Sequence, residues 1–195
     1  MEDFHSTFSL MCGGLLDQLD WSNVLVAGGI VLATMLCPPN GAQQDSIREW
    51  LSSDVDIFIY GLTAERANRK LLHIFSIFQH NLHKVMPGCK PFVIRRPRAI
   101  SFLAKYPLCR IQIILTLARS PKEILSDFDL DVCAMGYDGK QVWMMPSAVR
   151  ALESEFKSAV LSWRLTPQIA GYKSFTMTLL HGEFLRATQM TRIPR

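Results

Sequence analysis

Two aspartates, Asp54 and Asp56, begin an apolar run that reads S-D-V-D-I-F-I-Y over residues 53–60. The run predicts a buried strand, and residues two apart in a strand place their side chains on the same face. Two neighbouring carboxylates repel each other unless a cation lies between them. Mg²⁺ or Mn²⁺ suits such a pair, because a hard divalent cation binds through carboxylates together with phosphate oxygens. The alternative is that Asp54 caps a turn and Asp56 is solvated at the mouth of the strand.

A pair of glycines, Gly28 and Gly29, stands between a short apolar run at 23–27 and a helix-compatible segment at 30–36. Glycine lets the backbone approach a ligand closely, and the N–H groups at the start of a helix attract phosphate. The order strand, glycine turn, helix therefore predicts a phosphate-binding turn. A tight packing turn without a ligand is the alternative.

The other elements predict an α/β (α+β) fold with a mixed sheet flanked by helices. Residues 4–19 predict an opening helix, and Ala64–Val85 predicts a long amphipathic helix capped by Thr63. Further elements are a strand at each of 91–96, 99–104 and 110–117, a helix after Ser120, a hairpin formed by 129–135 and 141–145, and a helix from Pro146. We expect a core over residues 1–145 and a C-terminal helical extension over 146–195 that packs on it.

The glycine pair followed by S-D-V-D-I-F-I-Y resembles the nucleotidyltransferase fold of the polymerase-beta type, in which an acidic pair follows a Gly-Gly turn. The blocks S-D-V-D-I-F-I-Y-G-L, P-L-C-R-I-Q-I-I-L and S-P-K-E-I-L-S-D-F-D-L-D-V-C-A-M-G-Y-D-G-K-Q-V-W-M-M-P also resemble a poorly characterised group of fungal and large-DNA-virus proteins. Members of that group often carry ankyrin repeats. The resemblance covers about Val24 to Leu152.

This resemblance implies transfer of a nucleoside monophosphate from an NTP to a hydroxyl. The acidic pair would hold the metal, and the residues that would bind the nucleotide are Gly28, Gly29, Ser53 and Arg110. The acceptor is unassigned and is a nucleic acid, a protein or a small molecule. No membrane partner is expected, and the sequence assigns no oligomeric state.

A third carboxylate usually completes such a site, but here Gln112 occupies the expected position on the strand 110–117. An amide hydrogen-bonds, yet it is a poor metal ligand and a poor base. Asp131, two residues after Asp129, is the candidate for a replacement metal ligand. The alternative is that both aspartates belong to a turn, where this residue type is common. The arginines at 95, 96 and 98 join Arg110 in a basic group that suits phosphates or forms an exposed surface.

Composition limits the class of protein. The 195 residues are 49% hydrophobic and 19% charged, which excludes a disordered or collagen-like chain, and the net charge of +4 is too small to indicate a dedicated nucleic-acid binder.

The N-terminal residues lack the basic region of a signal peptide, and the longest apolar run, 24–37, is shorter than the roughly 20 residues of a membrane span. We therefore expect a cytoplasmic or nuclear protein with five reduced, metal-free thiols, at Cys12, Cys37, Cys89, Cys109 and Cys133.

Two functions follow from the sequence. The first is a Mg²⁺-dependent nucleotidyltransferase, which the glycine pair and the acidic pair favour. The second is a catalytically degenerate fold, a pseudoenzyme that serves as a nucleotide-binding or protein-interaction module, which Gln112 favours. Of the two, the sequence favours the nucleotidyltransferase.

Overall fold

A computed structural model describes residues 2–36, 54–157, 172–180 and 184–192. The helices are α1 (Glu2–Met11), α2 (Gly29–Leu36), α3 (Ala64–Val85), α4 (Pro121–Ser126) and α5 (Pro146–Lys157), with a short 3-10 helix at Asp131–Cys133. The strands are β1 (Val24–Ala27), β2 (Val55–Tyr60), β3 (Phe92–Arg95), β4 (Ala99–Leu103), β5 (Ile111–Ala118), β6 (Met135–Tyr137), β7 (Val142–Met144), β8 (Tyr172–Leu180) and β9 (Phe184–Arg192).

The nine strands within the described residues form one sheet in the order β3-β4-β5-β2-β1-β6-β7-β9-β8. β2 and β5 run parallel, whereas β1 pairs with β2 and β4 pairs with β5 in antiparallel fashion. The expected mixed sheet flanked by helices is therefore confirmed. Because β2 lies between β1 and β5, the glycine turn, the acidic pair and Gln112 come from three neighbouring strands.

The main core lies on one face of this sheet, and a smaller buried cluster that includes Leu25 and Leu125 lies on the other. Residues on β2 alternate between buried and half-buried, with Val55, Ile57 and Ile59 fully buried. These side chains join a cluster that includes Ile74 and Phe78 of α3. The alternation leaves the side chains at the even-numbered positions of β2, among them Asp56, for the opposite face of the sheet.

Helix α3 covers this core and matches its predicted bounds of Ala64–Val85. The Thr63 side chain accepts a hydrogen bond from the backbone N–H of Arg66 at 3.4 Å, which caps the first turn. Ile74, Phe78 and Leu82 follow at intervals of four residues and are buried. The spacing of these apolar residues turns one face of α3 toward the sheet, and the Thr63 cap marks where the helix begins.

The opening helix is shorter than predicted, because it ends at Met11 rather than continuing to residue 19. Gly13 and Gly14 adopt positive φ angles of 60° and 69°, which a continuing right-handed helix does not permit. Leu15 and Leu16 are nevertheless buried in the core. The apolar residues after Met11, whose spacing predicts a longer helix, are therefore buried in a series of turns.

Two predictions about the second half of the chain differ from the structure. Residues 131–133 form a 3-10 helix instead of a hairpin strand, because N–H groups of Cys133 and Ala134 bond carbonyls three residues earlier. Within the described residues, the predicted helical extension contains the helix α5, but β8 and β9 follow it and β9 pairs with β7. The weak periodicity of this region concealed two strands that join the same sheet. The division into a core and an extension stays a prediction.

The thiols of Cys12, Cys89, Cys109 and Cys133 are free, as expected for reduced cysteines, and Cys37 lies outside the described residues. Burial raises the pKa of the Cys12 thiol well above its ordinary value, and the neighbouring Cys109 raises it further. Such a thiol stays protonated and unreactive. Among the described residues, no helix combines the length and the apolar character that crossing a membrane demands.

Candidate acidic site beside the glycine turn

Asp56 lies on the face of the sheet opposite the main core, in register with Gln112 of the parallel strand β5. The Gln112 Nε2 donates a hydrogen bond to Asp56 Oδ1 at 3.1 Å. On the far side of Gln112, its Oε1 accepts a hydrogen bond from the Ser101 Oγ at 3.2 Å. Ser101 is 4% exposed and lies on β4. The three side chains form a row across β4, β5 and β2, and the row fixes the position of the Asp56 carboxylate.

Asp54 is held by Arg110. The Arg110 Nε donates to Asp54 Oδ1 at 2.6 Å, and a terminal guanidinium N–H donates to Oδ2, so the pair is bidentate. The Asp54 and Arg110 side chains are 31% and 39% exposed, respectively, which leaves the pair accessible to solvent and to ions. Arg110 was predicted to bind nucleotide, and in this structure its charge is paired with the first carboxylate.

The glycine turn lies at the same end of the sheet. Ala27, the last residue of β1, is in register with Asp56, so Gly28 and Gly29 continue β1 past the start of β2. Gly28 has a φ of 92°, and a Cβ there would lie 3.0 Å from the Phe128 ring. Packing therefore accounts for Gly28 without a ligand.

Gly29 is different, because neither backbone strain nor packing requires a glycine there. Its φ is not positive, a Cβ built on it would meet nothing within 4 Å, and the residue is exposed. It is the first residue of α2. The first N–H groups of a helix have no intrahelical partner and favour anions. Open space beside these groups is the feature that a phosphate group requires.

Electrostatics at the acidic pair favours a cation. Burial raises the pKa of Asp56, and the neighbouring charge of Asp54 raises it further, against smaller opposing effects of Gln112 and Arg110. The hydrogen bonds to Asp54 raise the pKa of Arg110. A divalent cation beside the two carboxylates would offset their repulsion, and phosphate oxygens would supply its other ligands. Two carboxylates are oxygen ligands of the kind that Mg²⁺ takes, although Arg110 donates to both oxygens of Asp54 in this structure.

The structure does not bring Asp131 to this pair. Asp131 is exposed on the 3-10 helix, and the described part of the chain has no group of three or more His, Cys, Asp or Glu side chains that could hold a metal ion. Its predicted role as a third metal ligand stays a prediction. Ser53, a predicted nucleotide-binding residue, lies outside the described residues. The arginines at 95, 96 and 98 are exposed on and after β3, and Arg110 alone of this basic group contacts the acidic pair.

Comparison with known proteins places the chain in a family. A family model described as "Gabija anti-defense 2 family protein", abbreviated Gad2, matches residues 2–155. The chain belongs to the Gad2 family. The match contains β1 to β7 and every residue of the acidic site, and it ends before β8.

A relative of this Gad2-family chain is "Uncharacterized protein R883" of Acanthamoeba polyphaga mimivirus, 29% identical over 155 residues. The match covers 73% of the chain and 31% of the viral protein, so the chain spans about a third of that relative's length. No solved structure matches the chain.

One residue of the Gad2-family site escaped sequence reasoning. Ser101 lies in A-I-S-F-L, where a single polar residue interrupts an apolar strand. That isolated polar residue was the available signal, since a buried hydroxyl needs a hydrogen-bond partner. The partner, Gln112, could be identified only when the register of β4 and β5 was known.

The pKa of Asp56 leads to a prediction about stability. Its pKa is raised above the ordinary value of 3.8, so between these two values the folded state binds more protons than the unfolded state. The free energy of unfolding therefore falls as pH rises through this window and stays lower above it. Asp56→Asn removes the ionisation but retains an oxygen that accepts from Gln112. We expect the variant to be more stable than the parent at pH 7 and its advantage to disappear below pH about 3.8.

Urea unfolding of both proteins across this pH range measures the effect. The difference between the two free energies of unfolding is the quantity to follow, because carboxyl groups away from the acidic pair titrate equally in both chains. An advantage that is independent of pH would contradict the assignment.

Proposed function

We propose that this Gad2-family chain counters the Gabija defence through a nucleotidyltransferase-like site that binds Mg²⁺ and a nucleoside triphosphate. The anti-defense role rests on the family description, and the site rests on the residues. The observation that carries the proposal is the position of Asp54, immediately before β2, and of Asp56, on β2, beside the exposed, unobstructed Gly29.

The reaction of such a site is transfer of a nucleoside monophosphate. An acceptor oxygen forms a bond to the α-phosphorus, the bond from that phosphorus to the bridging oxygen of the β-phosphate breaks, and pyrophosphate leaves. Mg²⁺ bound with the nucleotide would neutralise the phosphates. Asp54 and Asp56 would hold it, the N–H groups at the start of α2 would orient the phosphates, and Arg110 would add positive charge on the same face. The proton of the acceptor goes to a base or to solvent.

A second function is a nucleotide-binding or protein-interaction module without turnover. Gln112 favours this alternative, because a neutral amide donates to Asp56 at the position where a third acid would stand. The ion pair between Asp54 and Arg110 also favours it, because a bound metal would compete with the guanidinium for the carboxylate. The two functions differ in transfer, and a module that only binds a protein would also lack nucleotide binding.

We further propose that the protein acts in the cytoplasm or the nucleus. The free state of the four described thiols supports a reducing compartment. The acceptor in the transfer reaction is a nucleic acid, a protein or a small molecule.

Thermal unfolding with each of the four NTPs, with and without Mg²⁺, tests the nucleotide site. At a concentration 100 times the dissociation constant, a bound NTP adds about 2.7 kcal/mol to the free energy of unfolding. For a chain of this length, we expect Tm to rise by roughly 5 to 10 °C on addition of the preferred NTP with Mg²⁺. Absence of any Mg²⁺-dependent rise with all four NTPs would contradict the proposal.

Gly29→Ala separates a ligand role for the second glycine from a packing role. A Cβ at this position meets no protein atom within 4 Å, and alanine is the better helix former, so we expect stability equal to the parent or higher by up to about 1 kcal/mol. The same Cβ would occupy the space through which a phosphate approaches α2. We expect the affinity for Mg²⁺·NTP to fall about tenfold, measured by titration calorimetry.

Gly88→Ala is the matched control. A Cβ added at Gly88 would also meet no atom within 4 Å, but the φ of 80° makes alanine strained there. This variant should therefore lose some stability and keep its nucleotide affinity. If Gly29→Ala binds nucleotide as tightly as the parent, phosphate does not approach at the start of α2.

A further inference from the structure

A cavity lies at the opposite end of the sheet from the acidic pair. It has a volume of about 540 Å³, and its lining includes Asp20, Ser22, Asn23, Arg66, Arg69 and Lys70. These residues precede β1 or lie in the first two turns of α3, whereas the acidic pair stands at the start of β2. The length of β2 separates the two regions by roughly 20 Å.

The basic residues that line this cavity share one face of α3. Arg66, Arg69, Lys70 and His73 are spaced three and four residues apart, which aligns them on a helix. Lys70 Nζ is held by the Asp20 carboxylate at 2.6 Å and by the Asp20 carbonyl at 2.9 Å. This pair ties α3 to the segment before β1 and forms one wall of the cavity.

The two arginines are available to a ligand. Arg69 contacts Glu65 at 3.5 Å, but both side chains are more than two-thirds exposed, and such a pair contributes little. Within the ranges that the structure describes, the Arg66 guanidinium has no ion pair. Three cationic side chains face one carboxylate in the lining, so the cavity carries net positive charge.

Asp20 also belongs to a hydrogen-bonded turn that lines the cavity. The Asp20 Oδ1 accepts from the backbone N–H of Ser22 at 3.1 Å and from its hydroxyl at 2.7 Å. Asn23 has a φ of 62°, a conformation that few residues other than glycine adopt. Gly61 packs beside it, since a Cβ on Gly61 would lie 3.3 Å from Asn23 Nδ2. Turn and helix thus hold polar groups in place around the cavity.

We propose that this cavity binds the polyphosphate chain of a nucleotide or of inorganic polyphosphate. The charge is confined to Arg66–His73, about 10 Å of helix, which fits a compact polyanion better than a nucleic-acid backbone that needs cations along its length. Arginine forms paired hydrogen bonds with phosphate oxygens. The cavity lacks a carboxylate pair for a metal, so binding does not require Mg²⁺. Binding without Mg²⁺ distinguishes this cavity from the acidic site.

Titration calorimetry with inorganic tripolyphosphate in EDTA tests the inference. We expect saturable binding by the parent protein and at least a tenfold loss of affinity in the double variant Arg66→Ala, Arg69→Ala. The matched control is Arg95→Ala with Arg96→Ala, which removes the same charge from an exposed strand end and should change affinity less than twofold. Asp54→Asn with Asp56→Asn should also retain binding, which distinguishes this cavity from the proposed nucleotide site. Circular dichroism checks the helix content of every variant.

ATP and a single-stranded oligonucleotide, also in EDTA, identify the source of the phosphates. Tighter binding of ATP than of tripolyphosphate assigns the cavity to a nucleotide, and equal binding assigns it to polyphosphate alone. No saturable binding by the parent, or equal loss in the two arginine variants, would overturn the inference. Tighter binding of the oligonucleotide that disappears in the Arg66 and Arg69 variant would also overturn it.

Discussion

The double variant Asp54→Asn, Asp56→Asn is expected to lose Mg²⁺-dependent NTP binding while keeping its fold. The two carboxylates are the charged oxygen ligands that the site offers to a cation, and amides are much weaker ligands for Mg²⁺. We expect a loss of affinity of at least about 100-fold, or about 2.7 kcal/mol. Calorimetric titration with NTP at fixed Mg²⁺ measures the affinity, and circular dichroism measures the fold.

Asp131→Asn is the control for this experiment. Asp131 is an exposed aspartate outside the acidic site, and its replacement removes a carboxylate without altering the pair. The control should bind NTP as the parent does. If the double variant retains the parent's affinity, the nucleotide site lies elsewhere. If the Asp131 variant loses affinity, the third ligand comes from the 3-10 helix after a rearrangement that this structure does not show.

The second large effect is expected from Gln112→Glu, which introduces a carboxylate beside Asp56, where the resemblance to nucleotidyltransferases implies a third acid. The Gln112 amide donates to Asp56 at 3.1 Å, so the new carboxylate would be close enough to share a cation and to accept a proton from a hydroxyl. General-base catalysis contributes about 10²- to 10⁴-fold. We expect Mg²⁺-dependent nucleotide transfer to increase at least about 100-fold, measured as release of pyrophosphate from NTP in the presence of candidate acceptors.

The Tm of the Gln112→Glu variant, measured with and without Mg²⁺, is a second test. Without Mg²⁺, the introduced charge repels Asp56, so Tm should fall, and Mg²⁺ should restore it. Gln79→Glu makes the same charge change at an exposed position of α3 and should show neither effect. Efficient transfer by the parent protein would mean that the position of the third acid is misassigned. Unchanged transfer by Gln112→Glu, with restored stability in Mg²⁺, would favour the binding-module alternative.

Local patterns predicted the elements that carry the site. The alternation in V-D-I-F-I-Y predicted β2 and the shared face of Asp54 and Asp56, and the cap and period of α3 predicted its bounds. Both are properties of neighbouring residues, so a single sequence contains them. The resemblance to nucleotidyltransferases placed Gln112 beside the pair, and the register of β2 and β5 agrees with that placement.

Contacts between distant residues could not be predicted in the same way. Arg110 and Asp54 are 56 positions apart, and their ion pair depends on the register of two parallel strands. The row from Ser101 to Asp56 depends on β4 as well. The hairpin β8–β9 was missed because its sequence lacks a clear period, and pairing with β7 determines its place. Tertiary pairing, rather than local propensity, positions these residues.

The attachment of the final hairpin has a consequence for how such proteins can be varied. β7 is only three residues long. β9, which lies beyond the segment that the family model matches, joins β7 through the pairs Trp143–Arg186 and Met144–Leu185. This junction lies three strands from β2, roughly 14 Å across the sheet. A different hairpin, or a strand supplied by a fused domain, can therefore be substituted at this edge while the residues around Asp56 keep their neighbours.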